Sequence, residues 1–355
     1  MPTIGKGMMW LCLLANGCAL PGIGAAADVV VLPVGTRKIQ MTGSDRTADN
    51  WNVIKVGSGE SLASVAPTDQ QDAVVAVLDT GVDAEHPDLK GRVETTIDLI
   101  GSDTFTLQNQ LYMYRGRDGN GHGTHVASIV LRVAGPSRVR VLPIKIIGHA
   151  GTGQDSILTD GIERAIAWRG SRGARVRVIN LSVASQAPSE RLKRAIDKAC
   201  KANILVVVAA GNDRGPVDFP ASLDTVLTVG ATTYRDESAG YSSFGPAIDI
   251  AAPGGNGDYP IIAAWPLYLT ATDLTDGINQ THATQALVGT SMAAPHVSAA
   301  AAMLWSSAPY LGAWQVRARL LAASEDLGAH GWDSYFGFGR LNVLNSLRAV
   351  THDAH

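Results

Sequence analysis

The sequence has three cysteines among 355 residues. Cys12 and Cys18 lie near the start, and removal of a leader ending before Asp28 would leave Cys200 alone. No internal disulfide could then form, and thiol redox chemistry is not expected. Charge is also sparse: 17% of residues are charged and the formal net charge is -3. That provides no basic field for nucleic acid or an anionic membrane, so neither is an expected partner. Past the N-terminal region no apolar run approaches the roughly 20 residues needed to cross a bilayer. Internal repeats and low-complexity tracts are absent too. What is abundant is apolar material, 46% of the chain, together with 38 glycines. This composition describes a globular, turn-rich chain with a large core.

Residues 1–27 carry Lys6 in a short polar start, then "MMWLCLLANGCAL", then Pro21 and "GAAA" before Asp28. The order reads as a secretory signal peptide with Ala25 and Ala27 flanking the cut, which implies a secreted or periplasmic protein. A buried N-terminal helix is the alternative, and Asn16, Gly17, Pro21 and Gly22 would break it. "LANGC" weakly resembles a lipoprotein box, but Asn16 fits it poorly and an acyl anchor on Cys18 is not expected. Residues 28–47 read as a short extended N-terminal or pro segment, 48–350 as one domain, and 351–355 as a tail.

From Ala73 onward, short β-branched runs alternate with helical patterns. "AVVAVL", "RVRVLPIKII", "RVRVINLSV", "ILVVVAA" and "TVLTVGAT" read as strands. Leu158, Ile162 and Ala165, then Leu192, Ala195, Ile196 and Ala199, recur at helical spacing. The alternation predicts an α/β domain whose mostly parallel central sheet is flanked by helices on both faces. In such sheets ligands bind beyond the carboxyl ends of the strands. Asp79 and Asn212 follow two of those strands directly.

Asp79 in "VAVLDTG" could by itself be a turn residue, or half of an aspartic protease, which needs a second carboxylate. No second Asp-Thr-Gly or Asp-Ser-Gly is present. Ser291 in "GTSMAAPHV" could by itself be an ordinary helix cap. His122 in "GHGTHVAS" could be a base, a ligand or a cap neighbour. Its companion His125 lacks the zinc-protease spacing, which needs two histidines four apart with a neighbouring Glu, and is expected to pack or cap within the helix.

Taken together the segments resemble the subtilisin-like serine protease family, in the chain order Asp, His, Ser. "VAVLDTG", "HPDL", "GHGTHVAS", "INLS", "AAGN", "FPA", "YSSFGP", "AAPGG", "GTSMAAPHV" and "YFGFGRLNV" all resemble its stations, so the likeness spans roughly residues 48–350. It implies a serine endopeptidase acting on polypeptides, with Ser291 as nucleophile, His122 as general base and Asp79 as the partner that fixes the imidazole. It implies that Asn212 helps hold the oxyanion. Ser182, Val183 and Ala184, with Ala209, Ala210 and Gly211, would line the substrate cleft and pair with an extended peptide.

The chain departs from the family in several places. Ala184 and Ser185 stand where two glycines are usual, so added Cβ atoms should reshape the cleft. Asp218 is expected near the base of the first specificity pocket, favouring a basic residue before the cut. The segment after His122 lacks the oxygen-rich loop of calcium-binding members. Asp88 would keep one ligand, but such cations want about six to eight oxygens, so a structural calcium is not supported. No metal or other cofactor is required, and a monomer is expected. Residues 28–47 are short for a full folding prodomain. Insertions around "TFTLQNQLYMYRGR" and "LYLTATDLTDGINQTHATQ" are expected as surface loops. A processing peptidase dedicated to one partner, a silent binding protein on the same scaffold, and an esterase are the rival readings. The esterase order, Ser first in G-x-S-x-G, is not the order found here.

Overall fold

The computed structural model describes residues 28–31, 50–58, 71–107, 110–185, 187–269 and 283–352. The leader expected at 1–27 and most of the insertion before Ser291 lie outside these residues.

In chain order the strands are β1 (Asp28–Val31), β2 (Ala73–Asp79), β3 (Ile97–Asp98), β4 (Thr104–Leu107), β5 (Gln110–Met113), β6 (Val139–Lys145) and β7 (Thr152–Gln154). There follow β8 (Val176–Leu181), β9 (Val183–Ser185), β10 (Leu205–Ala209), β11 (Leu227–Thr232), β12 (Ile250–Pro253), β13 (Ile261–Ala264) and β14 (Thr284–Leu287). The helices are α1 (Trp51–Lys55), α2 (His122–Ala134), α3 (Asp155–Ala167), α4 (Glu190–Lys201), α5 (Thr290–Ser307), α6 (Ala313–Ala322) and α7 (Val343–His352). Helix α7 reaches His352, so the tail expected from residue 351 begins inside a helix.

A seven-stranded sheet in the order β12-β11-β10-β8-β2-β6-β3 forms the centre. Its neighbours pair in parallel throughout. A sheet with both faces covered needs strands apolar on both sides, and every residue of β2, "AVVAVLD", is buried. Alternate residues feed two cores. Val75 and Val77 join α2, α5 and α7 on one face, while Val74, Ala76 and Leu78 join α3 and α4 on the other. Helix α4 is amphipathic, burying Leu192, Ala195, Ile196 and Ala199, and the Ser189 hydroxyl caps it by accepting from the Leu192 N–H at 3.2 Å. Helix α5 is buried from Thr290 to Ser306. Its alanines let it lie close to α2 and to the sheet at once.

Two features were not anticipated. Arg92 donates to the carbonyls of Leu131, Gly135, Ser137 and Val139, covering the C-terminal end of α2 with a cation. Strand β1 is the middle strand of a separate sheet, β7-β1-β9, antiparallel to both neighbours. Among the described residues no helix is long and apolar enough to cross a membrane.

Two fully buried histidines outside the candidate site hold elements together. The His125 Nε2 lies 3.2 Å from the Ile261 carbonyl and 3.0 Å from the Gln285 carbonyl, pinning the β13–β14 hairpin to α2. His125 was expected to pack or cap within its helix; its ring instead bonds the neighbouring hairpin. His296 donates through Nδ1 to the Met292 carbonyl at 2.8 Å and accepts at Nε2 from Asn52 of α1 at 2.9 Å. Burial lowers their pKa values to about 3 for His125 and about 4 for His296. Both must stay neutral in the fold yet charge when unfolded, so their contribution is complete above the unfolded value of 6.5 and is lost as pH falls toward 3–4. Urea unfolding should therefore show the midpoint dropping steadily from pH 7 to pH 4, with a shallower drop in His296→Gln. Equal slopes would remove His296 from this account.

Candidate active site

Asp79 ends β2, Ser182 follows β8, and Ala210, Gly211 and Asn212 follow β10, so the sheet brings all of them to its carboxyl edge. Helices α2 and α5 start at the same edge, with His122 the first residue of one and Ser291 the second of the other.

The backbone around His122 is glycine-rich for close packing. A Cβ on Gly123 would sit 2.1 Å from the Gly81 carbonyl oxygen and 3.1 Å from the Asp79 Cβ. A Cβ on Gly121, at φ 103°, would strike the Trp265 ring at 2.2 Å. This approach lets His122 Nδ1 reach both carboxylate oxygens of Asp79 at 2.9 Å. Asp79 is fully buried and His122 is 2% exposed. Asp79 also accepts from the Thr80 N–H at 2.7 Å.

Asp118, fully buried, was not singled out from the sequence. One oxygen accepts from Thr80 Oγ1 (2.8 Å) and the Gly121 N–H (2.7 Å), the other from the Thr124 N–H (2.9 Å) and its hydroxyl (2.7 Å). It thus satisfies the N-terminal donors of α2. An Asp just ahead of "GHGT" was the available signal. Burial alone would lower the pKa of His122, but the charge and hydrogen bond of Asp79 and the charge of Asp118 outweigh it, and the net direction is upward from 6.5.

The opposite ring nitrogen, Nε2, is buried and has no hydrogen-bond partner among the described residues. Ser291 Oγ instead donates to the Ser182 carbonyl at 3.3 Å. The Asp–His pair is therefore formed, and no Ser–His hydrogen bond is. Beneath Ser291 runs a closed polar network: Ser182 Oγ donates to the Ser291 carbonyl (3.0 Å), Asn180 Nδ2 donates to Ser182 Oγ (3.0 Å), and Ser298 Oγ donates to Asn180 Oδ1 (2.8 Å). The Asn212 amide oxygen accepts from both the N–H and the hydroxyl of Thr290, each at 2.9 Å, which orients its nitrogen as the side chain's donor. Gly211, at φ 113°, lies where a Cβ would be 2.8 Å from Ser243 Oγ.

Residues 70–339 match the subtilase family of peptidases. The chain is 35% identical to subtilisin DY of Bacillus licheniformis over 76% of its own length and 88% of that protein's. The chain belongs to the subtilase family. To subtilisin Savinase of Lederbergia lenta this subtilase is 34% identical, over 77% of its own length and 90% of the relative. A crystal structure of a lanthipeptide protease is similar with a TM-score of 0.70 and 25% identity, over 86% of this chain and 95% of that one. The chain is thus a subtilisin-like serine endopeptidase, a hydrolase, with the single α/β domain expected of the family.

The remaining expected site residues are distributed around this edge. Val183 and Ser185 of β9 are buried and Ala184 is half-buried, while Ala209 and Ala210 are buried at the end of β10. Asp218 is exposed, and its neighbour Phe219 accepts from the Ser185 N–H at 3.4 Å. Asp88 is exposed, and among the described residues no group of three or more His, Cys, Asp or Glu stands close enough to hold a metal.

The imidazole of His122 should titrate above the ordinary histidine value. In Asp79→Asn that titration should move down, because the two strongest influences raising it are gone. Nitrogen-detected NMR of the ring would read this, and an unmoved value would mean that Asp79 does not govern it.

Proposed function

We propose that this edge performs acyl transfer on peptide bonds. The Ser291 hydroxyl attacks the scissile carbonyl while its proton passes to His122 Nε2. Asp79, across the ring, fixes Nδ1–H and stabilises the imidazolium. The oxyanion is held by the Ser291 N–H and the Asn212 amide. The amine then leaves with the proton from His122, and water hydrolyses the acyl-enzyme by the reverse route. The observation that carries this reading is the buried 2.9 Å contact of His122 Nδ1 with Asp79, which leaves Nε2 as the ring's remaining proton acceptor. The step needs the Ser291 hydroxyl to turn from the Ser182 carbonyl toward that nitrogen.

Strand β1 supports the expectation that Val183 and Ala184 bind substrate as an added strand. Val30 is opposite Ala184 on one side and Thr152 on the other, and Val31 is opposite Val183, one residue from Ser182. An extended segment therefore fits between β7 and β9. The segment that fits is the chain's own, which suits the reading of residues 28–47 as a pro segment. The leader ahead of it suits export to a secreted or periplasmic location.

A second reading, a peptidase dedicated to one partner, draws on two observations. Ala184 and Ser185 add side chains at the cleft edge, and the structural relative with a TM-score of 0.70 is a lanthipeptide protease. Turnover of casein at rates typical of a digestive enzyme would remove it. Asp218, exposed at that edge, is proposed to favour a basic residue before the cut, and equal cleavage after Arg, Phe and Leu would end that role.

Ser291→Ala should lose about a millionfold in turnover, a figure borrowed from subtilisin, because a coupled triad fails as a unit. A serine-reactive phosphonate should label the parent and not the variant. The parent's kcat/KM should fall as pH drops through the raised pKa of His122, and a rate held to pH 4 would contradict its role as base. Val30→Pro removes an N–H from a strand paired on both sides. It should raise the initial rate of the full chain several-fold, and an unchanged rate would show that β1 does not compete with substrate.

A further inference from the structure

The acyl-transfer scheme leaves one buried ionisable cluster unused. Lys145, the last residue of β6, is fully buried and stands opposite Asp79 in the sheet. Its ammonium donates to the Thr80 carbonyl at 2.6 Å and pairs with the Asp103 carboxylate at 2.9 Å. Asp103 is 4% exposed. A buried ammonium needs such a partner, and compensation of Lys145 would suffice to explain one oxygen of Asp103. The carboxylate does more. It accepts from the His149 N–H at 3.0 Å and from His149 Nδ1 at 2.7 Å, and it lies 3.3 Å from where a Cβ on Gly148 would be.

His149 sits in the tight turn closed by Gly151 N–H to the Gly148 carbonyl (3.0 Å) and Gly148 N–H to the Thr152 carbonyl (3.1 Å). That turn delivers the chain into β7, one wall of the groove that β1 fills. The His149 carbonyl in turn accepts from Asn120 Nδ2 at 3.0 Å, two residues before His122. Asp103 also stands at the foot of the β4–β5 hairpin, where its own carbonyl accepts from the Tyr114 N–H at 2.8 Å and Tyr114 lies against the His149 ring. One residue thus joins three elements: its carboxylate holds the end of β6 beside Asp79 and the turn ahead of β7, and its backbone holds the inserted hairpin.

We propose that Asp103 is a positioning residue for substrate: by holding Lys145 and His149 together it fixes the edge strand β7, so that recognition of an extended peptide, rather than acyl transfer, depends on it. The proposal rests on the reading of β7 and β9 as the walls of the substrate groove. A peptide too short to reach β7 has no use for the brace. A longer one pairs with β7 through backbone hydrogen bonds whose geometry is set within a few tenths of an ångström, and a loosened edge loses them.

The test uses the full chain carrying Val30→Pro, so that β1 does not compete. Two substrates share one residue before the cut and one leaving group: a blocked single-residue ester and a blocked tetrapeptide. His149→Ala removes the side-chain bond of the brace, keeps the backbone N–H of the turn, and leaves the Lys145–Asp103 pair intact. Asp103→Leu combined with Lys145→Met removes the pair without leaving a buried charge alone. Both variants should raise KM for the tetrapeptide about tenfold, keep kcat within about threefold, and leave the ester unchanged. His149→Asn, which can still donate to Asp103, should recover part of the loss. Equal losses on both substrates, or none on the tetrapeptide, would overturn the role of Asp103. If the parent itself shows no gain from the longer peptide, it is the reading of β7 as a substrate wall that fails.

Discussion

Everything at the carboxyl edge of the sheet depends on how closely α2 can approach the end of β2. The contact between His122 Nδ1 and Asp79 joins a helix to a strand that are 43 residues apart in sequence. It exists because Gly123 has no side chain where it meets the Gly81 carbonyl, and Gly81 has none where it meets the backbone of Arg117 and Asp118. Thr80 fastens the same junction twice, its hydroxyl accepting from the Gly123 N–H at 2.9 Å and donating to Asp118. Those bonds hold the ring's heading, leaving no rotamer freedom to be lost when substrate arrives.

Ser291 is held from a different direction. It enters on α5, a helix buried on every side, whose small residues permit contact with α2 and the sheet together. Apolar packing of that kind places a helix but does not fix its rotation. The polar thread from Ser298 through Asn180 and Ser182 to the Ser291 carbonyl supplies the missing constraint, since each member has its partner and a rotated helix would leave several of them unpaired in the core.

Five of the seven strands of the central sheet were legible in the sequence because strands covered on both faces are predominantly apolar and β-branched, and five such runs stood between turn signals; β3 and β12 were not read. Helices α3 and α4 were legible for the complementary reason, since each buries one face and repeats at helical spacing. Asp79, His122, Ser291 and Asn212 were legible only as members of a family's ordered motifs, because each alone reads equally well as a cap or a turn. Asp118, Lys145 and Asp103 were not found. Asp118 had a local signal, its place ahead of "GHGT", but the partners of Lys145 and Asp103 lie 65 and 46 residues away, and spacing along a chain carries no trace of such contacts. The glycines beside His122 serve close packing of α2: Gly123 meets the Gly81 carbonyl and Gly121 meets Trp265. Strand β1 was read as an extended segment of unknown role, since neither of its partners β7 and β9 exceeds three residues.

An edge that buries Asp79, Asp103 and Asp118 together would repel itself if the three charges stood alone. Each is instead met by a different kind of positive partner. Asp118 takes the N–H groups at the start of α2, where the helix dipole favours an anion. Asp103 takes the ammonium of Lys145 and the N–H groups of His149. Asp79 takes the backbone of Thr80 and the imidazole of His122, and of these partners only the imidazole can gain and lose a proton near neutral pH. Asp118 is committed to backbone N–H and hydroxyl donors, which keep their protons. The field of two nearby anions, Asp79 and Asp118, raises the affinity of the His122 ring for the proton it would take from Ser291.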